Sequence, residues 1–200
     1  MISICISIKS PAHAGAAKKL DQPSITNAEA LLKAGNFANA VQTLDLLLKT
    51  NNSESELFFL RGKAYHELKR LDKATADYTS AIKLNPRHWK ALSNRGLIYG
   101  RLKRLDLAVK DFSMAIESNS KYAQALNNRG VAYVALKKSS LAMKDFDRSI
   151  LLDKSYVAPI LNRSFLHEMQ GNMNLACKDW RQASRLGYKS ANAWIEAQCK

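Results

Sequence analysis

Two hundred residues, 46% hydrophobic and 24% charged, with 8 glycines and 4 prolines, describe a globular chain. No stretch approaches the roughly 18 apolar residues of a membrane span. Lysine and arginine total 31 against 17 acidic residues, a net +14, which argues about partners rather than fold: an acidic protein, nucleic acid or an anionic membrane surface would be attracted, and a solvated lysine-rich face is the plainer reading. The three cysteines, Cys5, Cys177 and Cys199, show no CxxC or Cys/His zinc spacing, so neither a metal nor a cofactor is expected.

The chain begins outside any repeat. Residues 1–20 contain no acidic residue, Ile2 to Ile8 alternates isoleucine with serine or cysteine, and Ala12-His13-Ala14 has a small-x-small pattern. Residues 1–14 thus resemble a degenerate or truncated signal peptide, although Lys9 interrupts the apolar run and no basic n-region precedes it. The readings left open are export, an organelle presequence, or a tail on a cytoplasmic protein. Lys18 to Ser24, with Pro23, reads as a lead-in.

From there a phrase recurs. Ala-Leu-Ser-Asn-Arg-Gly-Leu-Ile-Tyr at 91–99 returns as Ala-Leu-Asn-Asn-Arg-Gly-Val-Ala-Tyr at 125–133, so Gly96 and Gly130 stand 34 residues apart, and Gly62 and Ser164 continue the step. Ala40, Ala74, Ala108, Ala142 and Ala176 keep the same period. A fixed period of this size marks a repeat array in which each unit buries its apolar face on its neighbours. Each unit reads as two amphipathic helices: Leu57, Leu60, Ala64, Tyr65 and Leu68 form one stripe, and Ala74, Tyr78, Ala81 and Ile82 the next. Asn85-Pro86 stops the second helix. The glycines are expected to meet the period-34 alanines where paired helices approach, with Tyr65, Tyr99, Tyr133, Tyr78, Phe112, Phe146 and Trp180 filling gaps between units. Five units are expected, 21–54, 55–88, 89–122, 123–156 and 157–190, followed by a capping helix over 190–200 whose Ala191, Trp194, Ile195 and Cys199 share one face. Cys177 and Cys199 would then lie close enough for a disulfide in an oxidising compartment.

Two charged series share the period. Arg61, Arg95, Arg129 and Arg163 are each followed 16 residues later by Asp77, Asp111, Asp145 and Asp179. One ion pair per unit, tying its two helices together, is the structural reading; a charged ligand site is the functional one. Lys69-Arg70, Lys103-Arg104 and Lys137-Lys138 fall in the turns and line one edge. That stripe would follow a phosphate backbone or lie as a solvated edge, and no stacking aromatics accompany it. No HExxH, glycine-rich phosphate loop or nucleophile elbow occurs, so no catalysis is expected.

The repeated phrase resembles the tetratricopeptide repeat, over roughly residues 21–190. The central units fit best: the first has Ala28 and Leu31, and the fifth Ser164 and His167, where those carry glycine and tyrosine. The resemblance implies an all-α, right-handed superhelical solenoid of helix-turn-helix repeats, acting as a protein-binding scaffold or adaptor. It also implies a concave groove lined by first helices, where Asn94, Asn128 and Asn162 would meet a partner's peptide backbone, an amide being able both to donate and to accept. Other groove positions would be Lys90, Arg101, Asn127, Val131, Val134, Leu161, Phe165 and Met169, polar early and apolar late, suiting an extended or helical peptide segment with one apolar end. The late residues would alternatively pack on the terminal helix. The clamp for acidic chaperone tails is not expected, because Ile25/Glu29, Phe59/Lys63, Ser93/Leu97, Asn127/Val131 and Leu161/Phe165 include no lysine/asparagine pair. The alternative function is a basic nucleic-acid- or membrane-surface-associated factor using the turn stripe.

Overall fold

The structure is a computed structural model that describes residues 23–199; the leader expected in residues 1–14 lies outside the described residues. Helices come in pairs. α1 (Ile25–Lys33) is followed by α2 (Phe37–Thr50), α3 (Ser55–Glu67) by α4 (Leu71–Leu84), and α5 (Trp89–Arg101) by α6 (Leu105–Ser118). Then come α7 (Ala123–Ala135) and α8 (Ser139–Leu152), α9 (Val157–Met169) and α10 (Met173–Arg185), and last α11 (Ala191–Gln198). No strand occurs among the described residues, and none of their helices is long and apolar enough to cross a membrane.

Local chemistry sets the ends. Ser24 caps α1, its Oγ accepting from the Asn27 N–H at 3.1 Å. The paired helices are joined by a tight reversal: the Arg70 N–H donates to the Tyr65 carbonyl and the Lys69 N–H to the His66 carbonyl, which satisfies carbonyls the helix leaves unpaired. This reversal needs a left-handed residue. Gly35 and Gly171 supply it in the first and last pairs (φ 74° and 76°), but Lys69, Lys103 and Lys137 do so in the three between (φ 61°, 59° and 58°). The turns between units repeat as well: the Oδ1 atoms of Asn51, Asn85, Asn119 and Asp153 each accept from the backbone N–H two residues on.

Each helix packs on the next in sequence. First helices of successive units also touch one another, whereas no two second helices of successive units do among the described residues. The stack therefore curves, with α1, α3, α5, α7 and α9 on its inner side. The period-34 alanines are fully buried, but they are not what the glycines meet. A Cβ on Gly62, Gly96 or Gly130 would fall 2.8, 2.9 or 2.5 Å from the ring of Tyr78, Phe112 or Phe146 on the second helix of the same pair. These rings meet the next unit as expected, Phe146 packing on Leu166 and the Tyr78 hydroxyl meeting Asn94, and they also fill the space within a unit, because a flat ring edge closes on a bare glycine Cα where a side chain would not fit. At the far end Trp194 of α11 packs on Phe165, Trp180 and Tyr188 at ring-centroid distances of 5.3, 5.9 and 6.0 Å. Cys177 and Cys199 are disulfide-bonded with Cα atoms 5.6 Å apart, which ties α11 to α10.

Candidate groove and its flanks

The arginines sit between helices. Arg129 donates to both carboxylate oxygens of Asp145 (Nε to Oδ2 and Nη2 to Oδ1, each 2.8 Å), and Arg61, Arg95 and Arg163 repeat that fork with Asp77, Asp111 and Asp179. The aspartates are buried. Each arginine also reaches back 16 residues into the preceding unit: Arg61 to Asp45 at 2.7 Å, Arg95 to Thr79 at 3.0 Å, Arg129 to Ser113 at 3.0 Å and Arg163 to Asp147 at 2.6 Å. The ladder therefore binds unit to unit as well as helix to helix. The Asp hydrogen bonds hold the guanidinium pKa values above their ordinary range against the opposing cost of burial. With all three nitrogens of each guanidinium bonded inside the fold, the ladder has the character of a truss rather than a ligand site.

The inner helices carry two clefts. One of about 300 Å³ is lined by Gly96, Leu97, Gly100, Arg101, Leu105, Asn128 and Val131 among others. The next, about 260 Å³, is lined by Val131, Val134, Ala135, Asn162, Phe165, Leu166 and Met169. Val131 and Ala135 belong to both, so the two form one strip along α5, α7 and α9. Its walls are apolar and incompletely covered: Val131 is 46%, Phe165 41% and Met169 75% exposed.

Four expected groove residues line neither cleft: Asn94, and three others whose surroundings differ. Asn127 is buried, its Oδ1 accepting from Asn162 Nδ2 at 2.8 Å and its Nδ2 donating to Asn128 Oδ1 at 3.2 Å. Leu161 packs into the cluster around Trp180 and Cys177 beneath α11, so it belongs to the end cap. Lys90 lies one unit early, in a cleft lined by Glu29, Glu56 and Lys63 together with Leu32, Phe59 and Leu60. Arg101 does line the strip, where its Nη1 donates to His66 Nε2 at 3.1 Å; burial first, then the Arg101 charge, hold the His66 pKa below its ordinary value.

The asparagine series is partly committed inside the fold. Asn94 Nδ2 donates to the Tyr78 hydroxyl at 3.3 Å, whose pKa burial pushes far upward, keeping the proton on. The internal bonds of Asn94 and Asn162 use their amide nitrogens, and that of Asn128 uses its oxygen. Among the described residues this leaves Oδ1 of Asn94, Nδ2 of Asn128 and Oδ1 of Asn162 for a ligand. Leu97 and Ala135 were not in the sequence expectation, yet both follow from the period: Leu97, Val131 and Phe165 are one series, and Arg101, Ala135 and Met169 another. The basic pairs of the turns, Lys69-Arg70, Lys103-Arg104 and Lys137-Lys138, are all exposed.

Family models described as TPR repeat and tetratricopeptide repeat match residues 62–103 and 25–78, and a further tetratricopeptide repeat model matches 90–122 and 123–156. No match was found among curated proteins. Among solved structures, MamA residues 41-end from Desulfovibrio magneticus RS-1 is similar at 17% identity and a TM-score of 0.75, covering 84% of this chain and 97% of that one. PilF of Pseudomonas aeruginosa is similar at 19% identity and 0.75, covering 81% and 74%. YrrB, titled a TPR protein with an unusual peptide-binding site, is similar at 16% and 0.68, covering 82% and 84%. At these identities the likeness is one of fold.

Proposed function

The chain belongs to the tetratricopeptide repeat family, and we propose that this protein-interaction scaffold acts without catalysis, holding a peptide segment of a partner protein along the strip formed by α5, α7 and α9. One observation carries the reading: two adjoining clefts share Val131 and Ala135 and leave Val131, Phe165 and Met169 open. An apolar side chain of the partner set against them gains about 25 cal/mol per Å² removed from water. Asn128 offers a donor and Asn162 an acceptor one unit further on, which matches the alternating groups of a peptide backbone. Each such bond adds only about 1 kcal/mol net, so the amides orient and the apolar walls hold. Arg101 at the early end favours an acidic residue there.

The test is capture of partners on the immobilised protein, identification by mass spectrometry, and calorimetric titration with the segment found. Val131→Ser with Phe165→Ser should weaken binding at least tenfold, and Asn128→Ala with Asn162→Ala by several-fold. Lys137→Glu with Lys138→Glu, a basic pair that lines neither cleft, should change it less than twofold. Loss only in the last pair would move the peptide site to the turn edge and refute the groove.

A further inference from the structure

We propose a second contact surface that adjoins the groove at Lys103 and Leu105: the turn edge of the last three units lies against a bilayer containing anionic lipid. The surface comprises residues 103–110, 137–144 and 171–178, each covering a turn and the start of α6, α8 or α10. Leu107, Leu141 and Leu175 are the third residue of these helices, 34 apart, and are 43%, 43% and 46% exposed. They occupy equivalent places on neighbouring units of one stack and so form a row. A helix residue with so much free apolar surface, repeated three times in register, marks a contact rather than chance exposure.

Charge surrounds the row. Lys110, Lys144 and Lys178 follow each leucine by one turn, and Lys103, Arg104, Lys137 and Lys138 precede the first two; all are exposed. The one carboxylate in these windows is Asp106. Lys103 and Lys137 hold a left-handed backbone that Gly35 and Gly171 take in the outer pairs, so the basic side chains stand where glycine would be the easier residue.

The composition selects the occupant. Phenylalanine, tyrosine and tryptophan are missing from all three windows, and single-stranded nucleic acid is held largely by stacking on such rings; nor would a phosphate backbone use a leucine row. Carboxylates of an acidic peptide are best gripped by the planar fork of arginine, yet six of the seven cations are lysine. A second copy of the chain would bring the same charge. An anionic bilayer uses every feature: leucines enter the interface, lysine stems lie along the acyl boundary, and ammonium groups stay level with the phosphates.

The experiment is co-sedimentation of the full chain with vesicles of phosphatidylcholine alone and of phosphatidylcholine with roughly one-third phosphatidylserine. The anionic vesicles should bind at least tenfold more tightly. Lys103→Gly with Lys137→Gly should cost about twenty-five-fold, at about fivefold per basic residue. These glycines suit the left-handed turn, so the melting temperature should hold or rise, separating lost charge from lost fold. Leu141→Ser with Leu175→Ser should cost about tenfold, with far-UV circular dichroism unchanged. Val131→Ser with Phe165→Ser should leave vesicle binding as it was, so failure of the groove reading would not touch this one. Equal binding to both vesicle types would overturn the proposal, as would indifference to the leucine pair or loss in the groove pair. So would tighter binding to a uridine oligonucleotide that ignores the leucines.

Discussion

Gly130 tests how the helix pairs are held. Glycine inside a helix costs about 0.8–1.0 kcal/mol relative to alanine, so Gly→Ala ordinarily stabilises. At Gly130 the new Cβ would lie 2.5 Å from Cε1 of Phe146, with Cδ1 at 2.9 Å and Cζ at 3.1 Å. The ring is fully buried and cannot swing into solvent. Relief requires α7 and α8 to separate or the ring to leave its rotamer, an overpacking cost of about 1–3 kcal/mol. Set against the propensity gain, Gly130→Ala should destabilise by about 1 kcal/mol, or about 2–4 °C for a chain this long. Gly100 on α5 is the contrast: nothing lies within 4 Å of a Cβ built there, so Gly100→Ala should stabilise by up to about 1 kcal/mol. The assay is urea unfolding followed by circular dichroism, comparing midpoints. Phe146→Leu should cost less in the Gly130→Ala background than in the wild type, because it removes the clash. A Gly130→Ala midpoint at or above the wild type, or the same Phe146→Leu cost in both backgrounds, would refute the ring-on-glycine packing.

Arg129→Ala should cost about 3–5 kcal/mol by stranding buried Asp145, whereas Asp147→Ala, at a carboxylate 55% exposed, should cost no more than about 1 kcal/mol; equal midpoints in urea would contradict the assignment of one partner as buried and the other as peripheral. His66 has its pKa lowered by burial and by Arg101. The unfolded chain therefore takes up its proton first, and the His66 contribution to stability is complete above the unfolded value near 6.5 and is lost as pH falls through the lower folded value. Wild type should lose more stability than His66→Gln between pH 7.5 and pH 5.5. Reduction of Cys177–Cys199, which spans 22 residues, should cost about 3 kcal/mol in chain entropy. It should be seen first as faster amide exchange in α11; unchanged exchange on adding a phosphine reductant would show that Trp194 packing alone holds the cap.

The period of 34 was enough to place the helix pairs, because a unit that cannot bury its own apolar face must repeat its contact residues in step with its neighbours. It also carried the Arg–Asp fork, since both partners recur as fixed residue types. It could not carry the backward arm of the same arginines: Asp45, Thr79, Ser113 and Asp147 share only the ability to accept a hydrogen bond. Which small residue meets which large one was likewise closed to the sequence. Gly130 and Ala142 have the same period, and only the approach of α7 to α8 sets the Phe146 ring, not the alanine, against the glycine. The strip of clefts runs along first helices, and its lining differs in part from the residues expected from the period. Asn127 and Asn128 are chemically identical neighbours, but a 100° step around α7 buries one amide against Asn162 and leaves the other with a donor free. Leu161 and Ala135 exchange places for a similar reason: α11 covers the first, while the second remains on the strip between α7 and α9. Periodicity thus determined the architecture of this protein, because stacking repeats one local solution. The identity of its open surface was decided only in three dimensions, because exposure depends on which neighbour arrives to cover each side chain.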